Sequence, residues 1–157
     1  MAEDLNIITG TKEEQYQQLI PQIEGLLMGE DDLVANMANV AAALKEQFGW
    51  LWVGFYVVKN EELVLAPFQG PVACTRIKKG RGVCGTSWAE AKTLIVPDVE
   101  KFPGHIACSS LSKSEIVVPV IKGNEVVAVL DVDSNIYDQF DEIDQQYLEQ
   151  VVKLINF

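Results

Sequence analysis

The sequence has few basic residues, a single histidine and no long apolar run. It contains 12 lysines and arginines against 23 aspartates and glutamates, which gives a formal net charge of −11. A surface of this sign repels nucleic-acid phosphates and anionic lipid headgroups. No apolar run approaches the roughly 20 residues that a membrane-spanning helix needs. We therefore expect neither a nucleic acid nor a membrane as a partner.

Signals for export and for a disulfide framework are missing as well. The first ten residues, MAEDLNIITG, contain neither the basic region nor the apolar region of a secretory signal. Three cysteines, an odd number, do not suit a framework of structural disulfides. The sequence therefore predicts a cytoplasmic protein, whose important cysteines are catalytic, redox-active or metal-bound.

Length and periodicity predict one α+β domain. The chain has 157 residues, 48% of them apolar, which is enough for one substantial core. A T-x-x-E capping box starts a helical pattern at Thr11, and Pro21 is expected to kink or divide that helix. Apolar spacing predicts N-terminal helices over about 11–47 and a C-terminal helix over about 141–156. Antiparallel sheet and irregular loops are expected over about 50–134.

The predicted sheet contains two strand pairs separated by a long connection. Alternation in the first strand places Trp52, Gly54 and Tyr56 on one face, with Gly54 leaving a notch between two aromatic rings. Ordinary core packing of the two aromatics is the alternative. The second pair is a hairpin closed around Gly123–Asn124. The connection, about 70–114, contains all three cysteines.

Three carboxylates are expected to meet at the end of this hairpin. Asp131 and Asp133 follow Val127 and Val129 on one face of the last strand, and the hairpin brings Glu115 towards them. Such a group can bind a cation, and mutual repulsion can raise one pKa enough to make a proton donor. The alternative is an ordinary strand end that enters a polar turn.

The cysteines allow several interpretations. Cys108 follows His105 by three residues in a serine-rich loop, and Cys84 lies in GRGVCG near a helix start, where a thiolate would be stabilised. That G-x-G-x-x-G spacing does not indicate a dinucleotide site, because the chain lacks βαβ repetition. A zinc site of His105 with Cys74, Cys84 and Cys108 is disfavoured, because no C-x-x-C pair is present. We expect no metal and no cofactor, and ordinary buried thiols remain an alternative.

Five motifs together resemble the GAF-domain free methionine-(R)-sulfoxide reductases: WVGFY, GPVACTRI, GVCGT, HIAC-x-S and SEIVVP. The resemblance runs from about Leu33 to Asp141. It implies a single GAF domain over 1–157, with helices on one side of a central antiparallel sheet and a ligand pocket on the other. It also implies the reduction of free L-methionine (R)-S-oxide to methionine, which makes this an oxidoreductase that acts on sulfur.

The same resemblance implies roles for individual residues. Cys108 is the catalytic cysteine, which takes the substrate oxygen as a sulfenic acid. Cys74 is the first choice for the cysteine that condenses with it, and Cys84 is the alternative. Thioredoxin is the implied reductant of the resulting disulfide. Glu115 and Asp133 are implied as catalytic carboxylates. The implied substrate-binding residues are Trp52, Tyr56, Glu115, Asp131 and Asp133.

A function of a different class stays open at this point. A stand-alone GAF domain that senses a small molecule would also need an acidic pocket with aromatic walls. Such a sensor has no use for three cysteines in one functional region, which favours the reductase. The carboxylate that donates the proton and the formation of a homodimer are left open.

Overall fold

The computed structural model of the chain describes residues 4–106 and 108–157. Residues 1–3 of the predicted domain and Ala107 of the HIAC motif lie outside the described residues. In chain order, the described elements are α1 (Lys12–Leu27), α2 (Leu33–Phe48), β1 (Trp52–Lys59), β2 (Glu62–Gln69), β3 (Arg76–Lys78), α3 (Gly82–Glu90), β4 (Leu94–Val96), a 3-10 turn (Val99–Lys101), β5 (Ser114–Lys122), β6 (Glu125–Ser134) and α4 (Glu142–Lys153).

The six strands form one antiparallel sheet in the order β3-β2-β1-β6-β5-β4. The β1–β2 turn places Asn60 and Glu61 in the left-handed region, with φ of 50° and 63°. The predicted β5–β6 hairpin around Gly123–Asn124 is confirmed, with Lys122 paired to Glu125. Because β6 lies between β1 and β5, its residues can act together with those of both hairpins.

Helix α1 begins at the predicted capping box, in which the Thr11 side chain accepts a hydrogen bond from the Glu14 backbone. The helix then continues through Pro21 to Leu27, so the predicted division at Pro21 is wrong. Proline removes one backbone hydrogen bond there. Leu19 and Ile23, on either side of it, are completely buried, and this packing holds the helix together across the proline.

Helices α1, α2 and α4 cover one face of the sheet. Their apolar side chains form a core with Val53 and Phe55 of β1 and with Leu130 and Val132 of β6. These strand residues alternate with those of the opposite face, as the period of a strand requires. The burial of apolar surface in this core, worth roughly 25 cal/mol per Å², is the main stabilising contribution on this side.

Helix α3 and the loops cover the opposite face. Cys84 and Trp88 of α3 pack there with Trp52 and Tyr56 of β1. The predicted arrangement of helices on one side and a pocket on the other is therefore confirmed, with α3 as an additional helix on the pocket side. None of the described helices has the length and apolarity of a membrane span.

The segment GRGVCG joins β3 to α3, and its glycines serve close packing. Gly80 donates a backbone hydrogen bond of 2.8 Å to the carbonyl of Gly85. A Cβ atom at Gly85 would lie 2.5 Å from the carbonyl oxygen of Lys78. Strand β3 lies within the connection of 70–114, and the sequence did not predict it.

Candidate active site

A cavity of about 60 Å³ opens on the α3 side of the sheet. Strands β1, β5 and β6 form its floor, and α3 and the loop that follows the 3-10 turn form its walls. Seven of the eight predicted site residues line it: Trp52, Tyr56, Cys84, Cys108, Glu115, Asp131 and Asp133.

The eighth predicted residue, Cys74, is joined to Cys108 by a disulfide with a Cα–Cα distance of 5.6 Å. Cys108 is exposed and Cys74 is half-buried. The Tyr56 hydroxyl donates a hydrogen bond of 2.8 Å to the carbonyl oxygen of Cys74. The Trp52 indole donates a similar bond of 3.0 Å to the carbonyl oxygen of Pro71. Strand β1 therefore fixes the segment that presents the disulfide to the cavity.

The three carboxylates come together as expected. Glu115 and Asp133 are directly paired across β5 and β6, and Asp131 is the next residue of β6 on the same face. Glu115 and Asp131 are each only 6% exposed. Asp133 accepts a hydrogen bond of 2.9 Å from the Ser112 hydroxyl. Asp131 Oδ1 is buried and has no hydrogen-bond partner among the described residues.

The environment of this cluster favours its uncharged or cation-bound form. Burial raises the pKa of Glu115 well above its usual range, and the charges of Asp131 and Asp133 raise it further. Burial also raises the pKa of Asp131 and, together with the charge of Asp131, the pKa of Asp133. Carboxyl groups in such a site retain protons at neutral pH or take up a cation.

Cys84 lies beneath the carboxylates and is 4% exposed. Its Sγ atom donates to Glu115 Oε2 across 4.0 Å. Burial raises the pKa of the Cys84 thiol well above its usual value, and the charges of Asp131 and Glu115 raise it further. The predicted stabilised thiolate is therefore wrong, because these effects outweigh the position of Cys84 in the first turn of α3.

The aromatic wall is more tightly filled than expected. The Trp52 ring stacks on Phe68 at a centroid distance of 5.1 Å and on Tyr56 at 6.0 Å. A Cβ atom at Gly54 would lie 2.3 Å from Phe68 Cβ and 2.7 Å from the Trp52 ring. The predicted open notch at Gly54 is wrong, because Trp52 and Phe68 fill it. Glycine is required there so that the Trp52 ring can lie against the strand.

Several residues of the cavity could not be identified from the sequence. Ser112, which orients Asp133, lies in the serine-rich SSLSKS segment, and this was its only signal. His105, which the sequence analysis considered only for a disfavoured zinc site, also lines the cavity, and burial lowers its pKa. The apolar part of the lining had no signal beyond hydropathy and includes Leu51, Val72, Ile77, Val83 and Ile106.

The sequence model of the GAF domain matches residues 28–157. The chain belongs to the GAF domain family. GAF domain-containing protein A of Dictyostelium discoideum is 69% identical to it over 157 residues, which cover 99% of both chains. Free methionine-R-sulfoxide reductase of Saccharomyces cerevisiae is 45% identical over 154 residues, covering 92% of this chain and 86% of the yeast chain.

A solved structure resembles this GAF domain protein closely. It is the X-ray structure of free methionine-R-sulfoxide reductase from Neisseria meningitidis in complex with its substrate. The two chains are 54% identical and superpose with a TM-score of 0.94, over 96% of this chain and 92% of the other. The family resemblance and the GAF fold that the sequence motifs predicted are thus confirmed.

Proposed function

We propose that this GAF domain protein reduces free methionine-R-sulfoxide to methionine. The observation that carries the proposal is that one cavity combines a cysteine of a disulfide pair, Cys108, with buried carboxylates that form no ion pair among the described residues. Sulfoxide reduction needs a thiol nucleophile, and recognition of a free amino acid needs a partner for its ammonium group. The named relatives from yeast and Neisseria meningitidis support the same activity.

The proposed reaction transfers one oxygen atom to Cys108. The Cys108 thiolate attacks the sulfoxide sulfur, and a carboxyl group of the cavity protonates the sulfoxide oxygen. The protonated oxygen then moves to the Cys108 sulfur as a hydroxyl group, while the sulfur–oxygen bond of the substrate and the transient bond between the two sulfur atoms break. This leaves methionine as a thioether and Cys108 as a sulfenic acid. Glu115 and Asp133 are the proposed catalytic carboxyls, since burial keeps the pKa of both high.

Selection of the free amino acid is assigned to the carboxylates. Glu115, Asp131 and Asp133 would surround the α-ammonium group of the substrate, whose positive charge compensates their burial. A methionine sulfoxide inside a peptide has a neutral amide at this point and leaves them without a cation. Tyr56 and Trp52 form the wall beside them, and the Trp52 ring is the proposed contact for the S-methyl group.

Recycling is proposed to proceed through Cys74. The Cys74 thiol attacks the sulfenic acid of Cys108, which forms the disulfide and releases water. A protein dithiol of the thioredoxin class then exchanges with that disulfide and restores both thiols. The Cys74–Cys108 bond of the structure supports this pairing. A reducing compartment such as the cytoplasm suits this last step.

The substrate assignment is tested by kcat/KM for free R-sulfoxide, free S-sulfoxide and N-acetylated R-sulfoxide, with thioredoxin as the reductant. Free R-sulfoxide should exceed the acetylated form by about 1000-fold or more, because a site built for a polar group strongly rejects an analogue that lacks it. The S epimer should be a poor substrate, since its oxygen and methyl group exchange places relative to Cys108. Equal values for the free and acetylated forms would refute the role of the carboxylates.

The recycling step is tested with two matched variants, Cys74→Ser and Cys84→Ser. Cys74→Ser should release about one methionine per active site and then stop with thioredoxin, because the sulfenic acid has no thiol to condense with. Cys84→Ser should continue to cycle, since Cys84 is outside the disulfide. A Cys84→Ser variant that stops after one turnover, beside a Cys74→Ser variant that cycles, would move the role to Cys84.

A further inference from the structure

We propose that Cys84, Glu115 and Asp131 form a binding site for a thiophilic divalent cation such as Zn²⁺. The Cys84 sulfur and one oxygen of each carboxylate lie within 4.8 Å of one another. The ligand atoms of a tetrahedral zinc ion are about 3.6 Å apart, given Zn–S and Zn–O bonds of about 2.3 and 2.1 Å. Small side-chain rotations therefore suffice to bring all three atoms onto one ion.

An independent observation points to a missing partner at this place. Asp131 Oδ1 is buried in the cavity wall and has no hydrogen-bond partner among residues 4–106 and 108–157. A buried carboxylate oxygen without a donor or a cation is unfavourable, and native structures rarely leave one in that state. A cation satisfies Asp131 Oδ1 and the two other ligands at once.

The donor set selects the class of ion. One thiolate with two carboxylates suits zinc and cobalt, whereas magnesium and calcium prefer oxygen ligands alone. Binding expels the Cys84 thiol proton and any proton on the two carboxyls, so the ligands become anionic as the ion enters. The cavity of about 60 Å³ also leaves room for a water molecule as a fourth ligand.

This set differs from the zinc site that the sequence disfavoured. Two members of that earlier set, Cys74 and Cys108, are consumed by the disulfide. The new set uses only Cys84, the free cysteine, so it is available while the disulfide is intact. An ion here would occupy Glu115 and Asp131, which the proposed function gives to the substrate ammonium. Resting on that function, we infer that the ion and the substrate exclude one another.

The test uses the full chain in its disulfide form, titrated with Co²⁺ as a spectroscopic probe. Among the three cysteines only Cys84 then has a thiol, so a thiolate-to-cobalt charge-transfer band in the near ultraviolet reports on that residue. The band should saturate at one equivalent and disappear when Zn²⁺ displaces the probe. Cobalt binding without this band would mean adsorption to the acidic surface and would overturn the proposal.

The ligand set is tested by Asp131→Asn, with Asp133→Asn as the matched control from the same strand. Asp131→Asn should weaken cobalt binding by more than about 100-fold, which exceeds the usual cost of losing an outer partner, whereas Asp133→Asn should cost less than about tenfold. Equal losses would overturn the assignment. Cys84→Ser should abolish the charge-transfer band. The two isosteric asparagine variants test the ligand set even if Cys84→Ser folds poorly.

Competition with substrate is measured separately from the site itself. Zn²⁺ should raise KM for free R-sulfoxide in proportion to its concentration and leave kcat unchanged. An unchanged KM at Zn²⁺ levels that saturate the cobalt-calibrated site would overturn the shared-site inference. Failure of the proposed reductase activity would be visible as no turnover with any sulfoxide, and the cobalt titration would still decide whether the site exists.

Discussion

Asp144 on the helix side of the sheet and Asp131 on the cavity side are both almost completely buried, yet their surroundings are opposite. Asp144 forms an ion pair of 2.6 Å with Lys12 and accepts a hydrogen bond of 2.6 Å from the Tyr16 hydroxyl. Asp131 has one oxygen without any partner among the described residues, and its neighbour Glu115 is another buried acid.

The difference separates a structural charge from a charge kept for a ligand. A buried ion is tolerated when the fold supplies an opposite charge and hydrogen bonds, as it does between α1 and α4. At Asp131 the fold supplies no ion pair with a described residue and leaves Oδ1 without a hydrogen bond, so we expect the missing partner to come from outside. Departures from the usual rules of polar burial occur mainly at functional sites. The unpartnered carboxylate on the cavity side therefore indicates a function at the expense of stability.

The comparison predicts its largest effect on the cavity side, for Cys108→Ser. Turnover of free methionine-R-sulfoxide should fall by more than about 1000-fold, since effects of that size follow loss of a nucleophile. The melting temperature of the reduced protein should stay close to that of the wild type, because Cys108 is exposed. Activity and melting are measured on the same samples. Ser110→Ala, an exposed neighbour outside the cavity lining, serves as the control and should keep full activity.

The second-largest effect is expected on the helix side, where stability should fall and activity should not change. Lys12→Met removes the cation of Asp144 and should lower the free energy of unfolding by about 3 kcal/mol, the lower end for a broken buried pair, because Lys12 is 26% exposed. The KM of the folded fraction should not change. Urea titration compares it with Lys59→Met, which changes an exposed lysine. Equal stability losses for the two variants would contradict a structural role for the ion pair.

The same contrast explains what the sequence could reveal. Strand alternation correctly placed Trp52 and Tyr56 together on one face of β1, and the residues between and beside them, Val53 and Phe55, lie in the core on the opposite face. A bulge limits this reasoning on β6, where Val127 packs on the helix side and Val129 on the cavity side. The extra residue moves the side chains before it to the opposite faces of the sheet, and nothing in the local sequence predicts it.

The sequence identified candidate site residues by their type, but it did not reveal their burial or their pKa values. The motifs predicted that Cys74, Cys108 and the carboxylates lie together. They also predicted a stabilised thiolate at Cys84, whereas burial raises the pKa of that thiol well above its usual value. Burial and the approach of Asp131 depend on the packing of α3 against β5 and β6, which are distant in sequence. Three-dimensional packing therefore sets pKa values that residue types alone cannot give.

The smallest expected effect gives the sharpest test of the comparison between the two buried acids. Neutralising a carboxylate should change the free energy of unfolding in opposite directions on the two sides of the sheet. Glu115→Gln keeps the shape of the side chain and removes its charge. In metal-free protein at pH 8 it should raise the free energy of unfolding by about 0.5–2 kcal/mol, the range that single stabilising substitutions commonly give. It should also lower kcat/KM, since the substrate ammonium loses a partner.

The pH dependence of that gain follows from the raised pKa of Glu115. The folded protein binds this proton more tightly than the unfolded chain, so wild-type stability falls as pH rises from about 4.3, the ordinary glutamate value, through the folded pKa. Glutamine lacks this loss, and its advantage should therefore be largest at pH 8 and vanish near pH 4. Asp144→Asn, the same neutralisation on the helix side, should instead destabilise at pH 8 because it removes the buried charge that Lys12 and the Tyr16 hydroxyl stabilise. Urea titrations of both variants at the two pH values compare the signs directly. Destabilisation of both at pH 8 would mean that Glu115 is as well compensated as Asp144, and the distinction between the two sides would fail.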